Sequence, residues 1–198
     1  MTGIPARVDE AFSKLYANDT ENAMVQVSIA IDATAKKRFG PKTSNRARFR
    51  GLLKAERDFL VYSALYFQSH LYVDGDLSFE GLGEFTDLLY KHVRCSLLHE
   101  GEASSILFSR MEDHSTFGFR DGKVIVSPFL IIGLLFLVIG DEVNGKLSFQ
   151  RQWMMKLNGV VFDLNQYWGN LTEIKRRVGF ENCPPDYFDR IRAEKASV

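Results

Sequence analysis

Ser127-Pro128-Phe129-Leu130-Ile131-Ile132-Gly133-Leu134-Leu135-Phe136-Leu137-Val138-Ile139 is the stretch that decides the fold class. Its strongly apolar run, Phe129 to Ile139, is 11 residues long with Gly133 inside it. A helix needs about 20 apolar residues to cross a bilayer, so this one is too short to span and reads as a buried helix. Ser127 supplies an N-cap oxygen and Pro128 sits where a missing N–H costs nothing. The spacing carries the helix to about Val143, and Asn144-Gly145 breaks it.

Toward the N-terminus the pattern stays helical. Val8, Phe12, Leu15 and Tyr16 mark a short helix over 6–17. Thr20 is read as the N-cap of a second helix, whose stripe runs through Ala23, Met24, Val27, Ile31 and Ala35 to Arg38. Phe39-Gly40-Pro41 stops it, because proline cannot continue a helix. Ser44 or Asn45 starts a third helix through Phe49, Leu52, Leu53, Phe59, Leu60 and Ala64 to about His70. Asp74-Gly75-Asp76 lacks the ligand spacing of a calcium loop and reads as a turn. A fourth helix runs from Leu82–Glu84 through Phe85, Leu88, Leu89, His92 and Val93 to Leu97.

After residue 105 the period shortens. Residues 105–109, 116–119 and 124–126, with a turn at Arg120-Asp121-Gly122-Lys123, predict a small antiparallel sheet. Beyond the apolar helix, a further helix is expected from about Phe149 to Val178, interrupted at Gly159 or Gly169. Length and composition fit one domain over 1–198, with a helical core at 20–101, a β-hairpin at 105–126 and C-terminal helices at 127–178.

Lys plus Arg and Asp plus Glu each number 25, so net charge gives no push toward nucleic acid or membrane. The distribution says more. Nine basic residues between Lys36 and Arg57 face one acid, Glu56, whereas His70 to Asp121 holds ten acids against four Lys or Arg. Lys36, Lys37, Arg38, Arg46, Arg48 and Arg50 are therefore the RNA-binding candidates, set against the plainer reading of a solvated face. Cys95 and Cys183 have no metal-ligand spacing and read as free thiols of a reducing compartment. With no apolar leader at Met1–Arg7, a cytoplasmic protein without a cofactor, metal or membrane partner is expected.

The densest chemistry lies in Tyr90-Lys91-His92-Val93-Arg94-Cys95-Ser96-Leu97-Leu98-His99-Glu100-Gly101-Glu102. Metal-free RNA cleavage needs a group to take the 2′-hydroxyl proton, a group to return one to the leaving oxygen, and positive charge on the phosphoryl oxygens. Histidine suits the first two roles, because it titrates near neutral pH. Arginine suits the third, since its fork of donors matches phosphate oxygens. At about 100° per residue, an unbroken helix turns His99 about 140° from Arg94. A site therefore needs the helix to end near Gly101, or two chains to assemble it. Asp32 is a candidate orienting partner for either residue. Against this stands the structural reading, in which both side chains only satisfy a helix end.

Arg94-Cys95-Ser96-Leu97-Leu98-His99 resembles the R-x-x-x-x-H signature of HEPN domains, and its setting near the end of a long helix is similar. The resemblance implies an antiparallel helical bundle, here with a small β-hairpin insertion, paired about a two-fold so that two motifs share one cleft. It further implies a metal-independent endoribonuclease in toxin–antitoxin, defence or RNA-processing systems, with Arg94 and His99 as catalytic residues and an antitoxin-like protein as a partner. Cys95 stands where catalytic members commonly carry Asn, Asp or His. The alternative expectation is a non-catalytic RNA- or nucleotide-binding or dimerisation module.

Overall fold

A computed structural model describes residues 3–66, 85–90, 106–111, 118–120 and 123–183. The described chain is mainly helical, with helices α1 (Ile4–Tyr16), α2 (Thr20–Phe39), α3 (Asn45–Ala55), α4 (Arg57–Tyr66), α5 (Phe85–Leu88), α6 (Pro128–Gly140) and α7 (Leu171–Arg177). Strands β1 (Ile106–Phe108), β2 (Gly118–Arg120) and β3 (Lys123–Val126) form one small sheet, and β4 (Met154–Leu157) with β5 (Val160–Asp163) a second.

Helix α6 is the centre of the molecule. Every residue from Leu130 to Gly140 is buried, and α2, α4 and α7 pack around it. Each fully buried Leu, Ile or Phe contributes about 1.5–3 kcal/mol, so this all-apolar helix is a large share of the driving force for folding. Ser127 Oγ accepts from the Leu130 N–H at 3.2 Å, the expected cap. The crossing with α4 is close: a Cβ on Gly133 would lie 2.5 Å from the Ser63 Cβ, so only glycine fits. The helix stops at Gly140 rather than Val143, and Glu142–Asn144 forms a 3-10 turn. Asp141 ends it by accepting from the Val143 N–H instead of continuing the spiral. No helix among the described residues is long and apolar enough to cross a membrane.

Elsewhere several expectations need correction. Asp19, not Thr20, caps α2, accepting from the Asn22 N–H. Thr20 is buried and its hydroxyl donates to the Ser109 carbonyl at 3.0 Å, tying α2 to the end of β1. Tyr16 is 91% exposed, while Ile4 and Ala11 complete the buried face of α1. The third helix divides at Glu56 into α3 and α4. No glycine or proline marks that break; Glu56 leaves helical geometry at φ −122°, ψ 22°, and its carboxylate meets Lys175 of α7.

The first sheet is mixed, in order β1-β3-β2: β2 and β3 form the expected antiparallel hairpin, but β1 joins the far side of β3 and runs parallel to it. The long helix expected over 149–178 does not exist. Asn158 (φ 48°) and Gly159 (φ 79°) both take left-handed backbone and make the two-residue turn of the β4–β5 hairpin. Helical structure returns in the 3-10 turn Leu164–Tyr167 and in α7.

Candidate functional site

Arg94 and His99 lie outside the described residues, as do His92, Cys95 and His114. The chain that leads to them is described as far as Tyr90. Leu89 is fully buried there, and the Tyr90 ring meets Phe49 of α3 edge-on at 5.6 Å. These contacts seat the approach to the motif on α3 through apolar packing. Asp32 sits half-buried on α2.

The basic stretch divides into two groups. At the end of α2, Lys37 Nζ donates to the Val143 carbonyl at 2.8 Å and to Asn144 Oδ1 at 3.1 Å. Arg38 Nη1 donates to Asp141 Oδ2 at 2.9 Å, and the Asp141 side chain is only 1% exposed. Asn144, fully buried, donates in turn to Thr34 Oγ1 and the Val138 carbonyl. These residues lock the 3-10 turn after α6 onto α2. Lys36 is exposed beside them.

On α3 the arrangement differs. Arg46 and Arg50, one turn apart on the same face, both reach Asp87 of α5: Arg46 Nη2 to Oδ1 at 2.9 Å and Arg50 Nη2 to Oδ2 at 2.7 Å. Arg50 Nε is buried without a hydrogen-bond partner among the described residues. Arg48 turns back to the α2–α3 connection, donating to the Thr43 carbonyl at 2.7 Å and to Asn45.

Two neighbouring cavities, of 380 and 320 Å³, open where α3, α4, α6 and α7 meet. Both are lined by Glu56 and Lys175, which pair at 2.5 Å. The Lys175 ammonium also lies 5.8 Å from the Phe59 ring centre and 5.6 Å from that of Phe180, two rings that meet edge-on and border it together. The larger cavity adds Arg38, Asp141 and Glu142, giving a polar lining of both signs. That chemistry, of paired charges of both signs, suits recognition.

Cys183 is a free thiol, pushed up in pKa by burial and then by the Asp58 charge, which makes it a poor nucleophile. Burial, then Cys183, likewise raises the Tyr62 phenol, whose O–H donates to the Val178 carbonyl at 2.7 Å. Among the described residues, no group of three or more His, Cys, Asp or Glu is placed to hold a metal ion. Trp153, Tyr167 and Trp168 fill packing positions: Tyr167 and Trp168 are buried, and the Trp153 indole N–H donates to Asp9 at 2.7 Å beneath the Arg151 guanidinium.

Sequence reasoning missed Asp87 and Asp141 as partners of the basic residues, and the Glu56–Lys175 pair. Their separations, such as 41 residues for Arg46 and Asp87 and 103 for Arg38 and Asp141, leave no local signal. A surplus of acids after residue 70 was the one hint, since a basic helix without its own acids must find countercharge elsewhere.

No curated protein and no solved structure matches the chain. A family model described as Rv1289 matches residues 3–191, nearly the whole sequence, and the chain belongs to the Rv1289 family.

Proposed function

We propose that the chain is a metal-independent endoribonuclease of HEPN type, acting in the cytoplasm as a homodimer in a toxin–antitoxin or defence setting. His99 moves the protons: it takes one from the 2′-hydroxyl or returns one to the leaving 5′-oxygen as the 2′-oxygen attacks phosphorus. Arg94 holds the phosphoryl oxygens as negative charge grows on them. The two-fold brings two motifs to one cleft, and Asp32 orients one of the pair.

The observation that carries this reading is the docking of the basic helix onto the approach to the motif. Asp87, which receives Arg46 and Arg50, stands seven residues before Arg94 in the chain. Cationic side chains of α3 thus pack on the segment that runs on, in sequence, to the proposed reacting groups, and in this reading an RNA strand following α3 is led toward Arg94. The test is cleavage of single-stranded RNA in EDTA. Arg94→Ala and His99→Ala should each abolish it while circular dichroism stays unchanged; full activity in both variants contradicts the assignment.

A specific observation favours a second reading, a non-catalytic RNA- or nucleotide-binding or dimerisation module. Five of the six basic candidates, all but Lys36, already spend donors inside the protein. This reading expects no cleavage by clean wild-type protein, with affinity or dimerisation lost on mutation.

A further inference from the structure

We infer that Asp87 is an internal stand-in for phosphate: it closes the Arg46–Arg50 pair, and a phosphodiester group binds there by displacing it. The inference deepens the RNA-directed reading above and rests on it. The geometry is that of an anion site. Two guanidinium groups one turn apart on α3 converge on the two oxygens of a single carboxylate, at 2.9 and 2.7 Å. Arginine forks favour phosphate oxygens in the same way, and a phosphodiester offers the same pair of anionic oxygens.

Three features make the contact displaceable. Arg46 is 62% exposed, Arg50 37% and Asp87 32%, so both pairs stand in solvent, where ion pairs are weak and screened. Arg50 Nε has no acceptor among the described residues, so the site still has a donor to satisfy with Asp87 in place. And Asp87 is not what holds its segment down. Leu89 is fully buried and Tyr90 packs on Phe49, so α5 stays docked when the carboxylate swings away.

Two arginines against one carboxylate leave a net positive charge, and Lys54, one turn on from Arg50, extends it along α3, whose own residues include no acid. The occupant this favours is a chain of phosphates, which gains at several points along the helix and so outcompetes a single carboxylate. An isolated phosphate gains at one.

The experiment measures binding of a fluorescent 12-nucleotide single-stranded RNA by anisotropy across a salt series. If a weak surface clasp is closed about three to ten times more often than open, removing it tightens binding by about that factor. Asp87→Asn should therefore bind about three- to tenfold more tightly than wild type, and Asp87→Glu, which keeps the clasp, should bind like wild type. Arg46→Gln/Arg50→Gln should weaken binding, lower the salt slope by about 1.4, and abolish the gain from Asp87→Asn. Glu10→Gln, an equal charge change on α1, controls for net charge. Inorganic phosphate at millimolar concentration should compete poorly with the oligonucleotide.

Three results would overturn the inference: no tightening in Asp87→Asn, a gain matched by Glu10→Gln, or a gain that survives loss of both arginines. Strong competition by inorganic phosphate would overturn the phosphate-chain occupant. Cleavage lost in EDTA with the Asp87→Asn gain intact counts against the nuclease and leaves the clasp standing. Intact cleavage without that gain does the reverse.

Discussion

The basic residues at the end of α2 and those on α3 look alike in sequence and differ in what they hold. Arg38 meets a carboxylate that is 1% exposed, inside a network where Lys37, Thr34 and Asn144 also close on one another. Arg46 and Arg50 meet a carboxylate that is 32% exposed and stands on a segment anchored by other contacts. Burial of the acceptor separates a structural cation from one available to a ligand. A buried carboxylate without its partner has no water to turn to, whereas an exposed one exchanges its partner at little cost.

That contrast is broken first at its buried end. Asn144→Ala leaves the Val138 carbonyl, the Thr34 hydroxyl and one Lys37 donor without their partner, and should destabilise by about 2–4 kcal/mol in urea unfolding. Arg38→Ala leaves the Asp141 carboxylate only the Val143 N–H as a donor among the described residues. Removing one side of a fully buried pair costs about 3–5 kcal/mol, and the partial exposure of Arg38 brings the expected loss to about 2 kcal/mol. Asp87→Asn should change stability by less than about 1 kcal/mol, so its effect belongs to binding. If Asp87→Asn unfolds the protein as readily as Arg38→Ala, the two regions are alike and the contrast fails.

The smallest effect is at the start of α2, where Asp19 caps the helix beside Lys14. Slight burial pushes its carboxyl up, but hydrogen bonds from Asn22 and the Lys14 charge outweigh that and hold it below the ordinary range. A depressed carboxylate contributes stability above its unfolded pKa and loses it as pH falls through the folded one. Asp19→Asn keeps a capping oxygen and loses the charge. It should therefore cost under about 1 kcal/mol at neutral pH, and the gap from wild type should close as pH drops through the acidic aspartate range.

What the sequence made legible was local. Ser127-Pro128 announced α6 because a cap and a first-turn proline act within one turn, and the stripe Ala23, Met24, Val27, Ile31 and Ala35 is buried throughout. The β4–β5 hairpin is hard to tell from a helix because Phe149, Trp153 and Leu157 repeat every four residues and imitate a helix face. The stronger signal was Asn158-Gly159, whose left-handed backbone suits a two-residue hairpin turn. The break at Glu56 had no local mark, since its partner Lys175 arrives from another helix. The same holds for the site. A basic run is visible in one dimension, but which cations are tied up depends on Asp141 and Asp87, placed by the fold.

The most direct test is the specific rate of single-stranded RNA cleavage in EDTA, measured across protein concentrations that span dimer formation. The expected result is a rate per chain that rises with the dimer fraction and vanishes in His99→Ala at every concentration. A wild-type protein that forms the dimer and never cleaves, or a His99→Ala variant that cleaves like wild type, would contradict it.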